Sequence, residues 1–269
     1  MQFFLEFFLK HVSFISMNRR NWILIKTPEQ IAGIRKASHL TAMTLDMIGQ
    51  YVVPWVSTEE LDHICNEFIL RNGGKSACLG YHGYPKYTCI STNDVICHGI
   101  PSKKELLKEG DIVNIDVTSI VGGYFGDASR MYLVGDVSKK AKDLVQVAKD
   151  CLDIGLSEVR PWNFFGNIGY SISSYAEAKG YNVVREYTGH GTGVEFHEEP
   201  YVYHKAAKNS GPKMEKWMIF TIEPMINIGG YKTKLLDDGW TVKTKDGTLS
   251  AQWEHTILVT DDWFEILTQ

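Results

Sequence analysis

The sequence predicts an α+β fold, a single domain in which helices pack on a largely antiparallel sheet. Three observations carry this. Two helix-start signatures stand near the beginning of the chain, and a pair of strands flanks a glycine turn. Two further helical stretches are then followed by a run of short strand-like segments. No short-period repeat, low-complexity tract or linker interrupts the order.

Thr27-Pro28-Glu29-Gln30 has the spacing of a capping box with proline at the first helical position, and opens a helix towards residue 50. Ser57-Thr58-Glu59-Glu60 repeats the signature for a helix reaching about Arg71, which Asn72-Gly73-Gly74 stops. Residues 76–100 are rich in Gly, Cys, Tyr and His and read as short strands and loops. Asp111–Thr118 and Phe125–Val134 are strands around a Val121-Gly122-Gly123 turn. Helices follow at about 138–154 and 164–179, the second ended by Gly180. Strand-like runs then occupy 181–188, 218–228, 240–244, 252–259 and 263–267.

Composition narrows the function. A net charge of -4 over 269 residues leaves no electrostatic footprint for nucleic acid. The five cysteines include no C-x-x-C pair, which fits a reduced, cytoplasmic protein. Residues 1–16 are aromatic and apolar, but Glu6 and Lys10 interrupt them, so no run has the length of a membrane span. That segment reads as an extension upstream of a start at Met17, leaving 17–269 as the working domain.

The chemistry is announced by carboxylates in apolar surroundings. Strand alternation puts Val113, Ile115 and Val117 on one face of Asp111–Thr118 and Asn114, Asp116 and Thr118 on the other. Asp127 mirrors Asp116 across the Gly-Gly turn, and a tight hairpin would set the two nearly opposite. Like charges so placed are destabilising unless a cation sits between them or one stays protonated. Glu223 lies within Phe220–Met225 and Glu254 within Gln252–Ile257, both apolar strand-like runs, while His190 stands on Gly189–Gly193. Two Asp, one His and two Glu suit hard divalent cations such as Mn, Fe(II), Co, Zn or Mg, and two such ions suit activation of water for hydrolysis.

These segments resemble the type I methionine aminopeptidases of the bacterial kind. The resemblance runs through Tyr81–Pro85, Cys97–Pro101, Asp111–Thr118, Gly126–Tyr132, Gly189–Pro200, Phe220–Met225 and Leu249–Thr256, from about Lys26 to the C-terminus. It implies the pita-bread fold, two pseudo-symmetric α+β halves with the metals between them. It implies that Asp116, Asp127, His190, Glu223 and Glu254 hold two divalent metal ions, with Asp127 and Glu254 bridging. A monovalent cation near Asn114, Val117 and Ser250 is implied as well. Glu223 becomes the proton shuttle, His197 the donor to the developing oxyanion, and His98 a contact to the substrate backbone or leaving nitrogen. Cys78, Tyr81, Tyr84, Cys89, Phe196 and Trp240 would surround a methionine side chain, with His82 close by. The implied substrates are nascent polypeptides with a free N-terminal Met and a small second residue, met in passing at the ribosome by a monomeric enzyme. An Xaa-Pro hydrolase of the same fold, or a non-enzymatic relative, is the alternative.

Two departures from the family pattern stand out. Thr192 replaces an isoleucine, and Val194-Glu195 replaces an arginine-containing pair, which bears on fine substrate preference. Trp55, Trp162, Trp217 and Trp263 occupy turn positions where the family carries glycine. Bulky side chains tolerate positive φ poorly. The reading is that UGA codons meant as glycine have been translated as tryptophan, with Trp240 and Trp253 genuine.

Overall fold

A computed structural model describes residues 23–269. The expectations for residues 1–16 and for a start at Met17 lie outside the described residues.

Helix α1 (Pro28–Ile48) starts as its sequence dictates: Thr27 Oγ1 accepts from Gln30 N at 3.2 Å, and Gln30 Oε1 accepts from Thr27 N at 2.8 Å. In α2 (Thr58–Arg71), Ser57 Oγ accepts from Glu60 N at 3.1 Å. Strands β1 (Lys75–Ser76), β2 (Cys89–Thr92) and β3 (Val95–Cys97) follow, then the long hairpin of β4 (Ile112–Val121) and β5 (Tyr124–Leu133). Helices α3 (Lys139–Ser157) and α4 (Phe165–Ala178) come next. The chain continues through β6 (Asn182–Val183), β7 (Gly189–Gly191), β8 (Glu198–Val202), β9 (Ile219–Ile222) and β10 (Met225–Asn227). It ends in β11 (Thr233–Leu235), β12 (Val242–Thr244), β13 (Ser250–Gln252), β14 (His255–Val259) and β15 (Phe264–Ile266).

Pairing among these strands is antiparallel throughout, as expected. The single sheet is corrected to four. β4 carries β5 on one edge and β1 and β2 on the other, and a five-stranded sheet runs β15-β14-β9-β7-β8. The remaining two have the orders β13-β10-β6 and β11-β12-β3. Two predicted strands are in fact broken. Pro224, which lacks an N–H for the ladder, parts β9 from β10, and Trp253-Glu254 part β13 from β14. Of the run 181–188, only Asn182–Val183 is strand.

The hairpin register also differs from expectation. Gly122 and Gly123 form a two-residue turn with φ of 60° and 87°, so Val121 pairs with Tyr124. Asp127 therefore faces Thr118, and Asp116 faces Ser129. The two aspartates are diagonal neighbours on one face rather than directly opposite. Gly126 lets α1 lie against β5: a Cβ there would stand 2.2 Å from Ser38 N, and Thr41 Oγ1 donates to Gly126 O at 2.7 Å.

Two cores result. One gathers Leu45 and Ile48 of α1, Leu61 and Ile69 of α2, and Val113 and Ile115 of β4. The larger gathers Leu144 and Leu152 of α3 and Ile168 and Ile172 of α4 around Phe220 and Ile226. Among the described residues, no helix is long and apolar enough to cross a membrane.

Three of the suspect tryptophans adopt the left-handed region: φ is 75° at Trp55, 70° at Trp162 and 72° at Trp217. Trp263 departs from the expectation, since it is not among the positive-φ residues. Its amide donates to Thr260 Oγ1 and its carbonyl accepts from Thr260 N, closing an ordinary turn.

Candidate metal centre

The two long sheets meet where their carboxylates are. Ile222 pairs with His255 across β9 and β14, so Glu223 and Glu254 leave the end of that pair side by side. Gly191 pairs with Phe220, which brings His190 against β9, and His190 N donates to Thr221 Oγ1 at 3.0 Å. The hairpin is tied to this sheet by Thr256, whose Oγ1 donates to Asp127 O at 2.7 Å, and by Glu254 N donating to Ser129 O at 3.1 Å. Ligand atoms of Asp127, His190 and Glu254 consequently lie within 4.8 Å of one another. His190 Nε2 is 3.6 Å from Asp127 Oδ2 and 3.6 Å from Glu223 Oε1.

Electrostatics show what this crowding costs. Burial, then the charge of Asp127, raises Asp116, Glu223 and Glu254 well above the ordinary carboxylate range. Asp127 is itself raised to about 7, by burial against the opposing hydrogen bond from Thr118. Among the described residues, no lysine or arginine pairs with any of the four carboxylates. A divalent cation fits such a set, four carboxylates and one imidazole. The imidazole is also prepared for it. His190 Nδ1 lies 3.0 Å from Gly191 O, and a carbonyl can only accept, so the ring proton sits on Nδ1 and Nε2 keeps its lone pair towards the carboxylates. Burial lowers His190 to about 4, so it stays neutral at physiological pH.

Other expected residues surround this centre. The His197 ring centroid is 4.1 Å from that of His190, and Tyr81 Oη lies 2.8 Å from His197 Nδ1. Burial, then the neighbouring His190, His98 and His82, lowers His197 to about 2. His98 has φ of 56°, is lowered to about 4 by burial, and meets Tyr187 and Trp240 edge-on. Cys78, Tyr84 and Cys89 form a buried cluster against which Ile100, Phe196 and Trp240 pack. Tyr81 lies 4.7 Å from Phe196 between ring centroids, and a cavity of about 320 Å³ opens beside Tyr81, Phe125, Phe196 and His197. His82 is exposed and touches Tyr81 from outside, so it is set apart from the cluster. Asn114 Nδ2 donates to Gln252 O at 2.8 Å, and Ser250 Oγ is buried without a hydrogen-bond partner.

Sequence reasoning missed the residues that hold the carboxylates. Thr221 Oγ1 and Gln252 Nε2 donate to Glu223 at 2.8 and 3.1 Å, Thr118 Oγ1 donates to Asp127 at 2.7 Å, and Glu223 N donates to His204 Nε2 at 3.1 Å. Thr118, Thr221 and Gln252 stand within two residues of a site carboxylate, and that proximity was the available signal. His204 belongs to no motif, and no sequence pattern marks it.

Comparison with known proteins accords with this geometry. A family model described as metallopeptidase family M24 matches residues 32–261. The chain belongs to this family. Among its curated M24 relatives, the methionine aminopeptidase of Escherichia coli strain K12 is 52% identical over 247 residues, covering 91% of this chain and 94% of the relative. That of Buchnera aphidicola from Schizaphis graminum is 50% identical over 245 residues, with 91% and 94% coverage. The crystal structure of methionine aminopeptidase from Rickettsia prowazekii superposes with a TM-score of 0.90 at 50% identity, over 92% of this chain and 100% of that one. A prolidase from Pyrococcus furiosus reaches a TM-score of 0.74 at 20% identity, over 91% of this chain and 65% of that one, which shows the shared fold alone. The pita-bread fold expected from the sequence is thereby borne out for this M24 member. Its two halves each bring a helix pair to the shared centre, and the larger core reaches across through Ile112 and Met131 of the hairpin.

Proposed function

We propose that this M24 member removes the initiator methionine from nascent polypeptides whose second residue is small. One observation carries the reading furthest: the carboxylate cluster and its imidazole lie against His197, which lines a cavity with Tyr81, Phe125 and Phe196, and the buried Cys78, Tyr84 and Cys89 pack against the same Phe196. Asp116, Asp127, His190, Glu223 and Glu254 would hold two divalent metal ions, Co, Mn, Fe(II), Zn or Mg, which supply a water acidified towards neutrality.

The remaining work falls to the chain's own groups. Glu223, held by Thr221 and Gln252, takes the proton from the attacking water and passes it to the leaving nitrogen. In the tautomer in which Tyr81 Oη donates to Nδ1, His197 carries its proton on Nε2 and offers the carbonyl oxygen a hydrogen bond as charge develops there. His98 contacts the substrate backbone or the leaving nitrogen. Cys78, Tyr81, Tyr84, Cys89, Phe196 and Trp240 enclose the methionine side chain, whose thioether suits aromatic edges and thiols. His82 borders this wall from the surface. A monovalent cation near Asn114, Val117 and Ser250 would give the orphaned Ser250 hydroxyl a partner. Residues 17–269 would act as one catalytic domain, monomeric and cytoplasmic, meeting its substrates through transient ribosome contact.

The test is peptide hydrolysis after reconstitution with Mn, Fe(II) or Co. Free Met should be released from Met-Ala-Ser, and Ala-Pro-Ala should be left intact. Cleavage of Ala-Pro-Ala alone would place the chain with Xaa-Pro hydrolases, and no cleavage of either peptide would sink the enzymatic reading.

A further inference from the structure

We infer that Lys26 is a positioning residue for His197, acting through Glu198; this rests on the role given to His197 above. Lys26 Nζ pairs with Glu198 Oε2, and the two side chains are only 1% and 10% exposed. A buried lysine is costly unless paired, and burial pushes its pKa down against the pull of Glu198. The other oxygen of the same carboxylate accepts from Val194 N at 2.8 Å and Glu195 N at 2.9 Å. One carboxylate thus joins the entry of α1 to the amides of Val194 and Glu195, the two residues that precede Phe196 and His197. Thr192 Oγ1 donates to Phe196 O at 2.9 Å and pins the far side of the loop. Without the lysine, Glu198 is a buried charge with no cation. It must take up a proton or turn to water, and either change weakens its hold on both amides and frees the segment that sets His197 against Tyr81.

The experiment compares Lys26→Met, Lys26→Met/Glu198→Gln and Lys26→Met/Glu198→Ala. Glutamine needs no cation but still offers an oxygen to the two amides, whereas alanine offers none. In K26M, kcat on Met-Ala-Ser should fall about 10- to 100-fold, as a small misplacement of a catalytic group does, with Mn affinity unchanged. Amide hydrogen exchange at Val194 and Glu195 should quicken in step. K26M/E198Q should recover most of the rate and the protection, and K26M/E198A should recover neither. Equal behaviour of the two double variants overturns the inference, as does full protection and activity in K26M. Where K26M itself fails to fold, the two double variants, free of the unpaired Glu198 charge, still decide it. The exchange measurement stands even if the wild type proves inactive on the peptide, so the two readings fail separately.

The backbone carries a second inference independently: we propose that positions 55, 162 and 217 are glycine in the natural protein, encoded by UGA. All three are held at φ of 70–75°. Their amides are tied to distant carbonyls, Trp55 N to Leu107 O at 2.7 Å, Trp162 N to Met214 O at 2.8 Å and Trp217 N to Val259 O at 2.8 Å. The fold therefore imposes the conformation, and a bulky L-residue there is an outlier. Trp55 and Trp162 are 74% and 70% exposed, so packing offers little return for the strain. Trp240, Trp253 and Trp263 are not at positive φ, which confines the anomaly to turn positions that favour glycine. Codons settle the matter: UGA is expected at all three, and UGG there overturns the proposal. Independently, Trp55→Gly/Trp162→Gly should raise the melting temperature by roughly 4 °C or more, and a lower melting temperature counts against it.

Discussion

Glu223 shows how much of the site's behaviour is decided by single groups. Its two oxygens accept from Thr221 and Gln252, while its backbone N–H donates to the buried, neutral His204. Its orientation is therefore fixed from three sides before any substrate arrives. Glu223→Gln preserves the volume but removes the carboxylate that, in the proposed role, takes up the water's proton. Activity on Met-Ala-Ser should fall by about 10²- to 10⁴-fold, with Mn binding largely retained in calorimetric titration. A fully active variant would remove Glu223 from the chemistry. The carboxylates were legible in the sequence because each sits where apolar neighbours forbid an unpaired charge. Their supports were less so: a threonine or glutamine beside a carboxylate is common, and only the fold shows which way its hydroxyl or amide points.

At the scale of elements, the helices were read most faithfully, because their ends are encoded in adjacent residues. The box at Thr27–Gln30 and the cap at Ser57 formed as written. Strands were read in outline only. Counting from the Gly122-Gly123 turn put Asp127 opposite Asp116, and the true register sets it opposite Thr118. The aspartates still share a face because the error was two residues, a whole period of the strand. The broken strands are more instructive. The breaks at Glu223-Pro224 and Trp253-Glu254 hand the chain from one sheet to another, and at both a site carboxylate stands where ladder pairing stops. A run of apolar residues gives no sign of which sheet it joins, so the division into four sheets was out of reach of periodicity.

For the whole molecule, the decisive fact is that the centre draws on strands carried by two different helix pairs. Asp116 and Asp127 come from the hairpin beside α1 and α2, while His190, Glu223 and Glu254 come from strands attached to α3 and α4. The seam between them should loosen before either core melts. In a urea titration of the metal-free protein, the capacity to bind Mn should vanish at a lower concentration than the helical circular dichroism; coincident transitions would argue for a single unit. The pseudo-symmetry behind this arrangement was implied by resemblance, not by any repeat in the chain.

The seam has one more consequence. The connector between β5 and α3 separates the chain into a part holding two aspartates and a part holding the histidine and two glutamates. Neither part owns enough of the set to work alone. Each has its own helices, while buried clusters cross the divide, through Ile112 and Met131 in one and through Ile31 and Ile34 in another. Division at that connector should therefore leave two fragments that are inactive apart, so that activity on Met-Ala-Ser regained on mixing would report their reassociation.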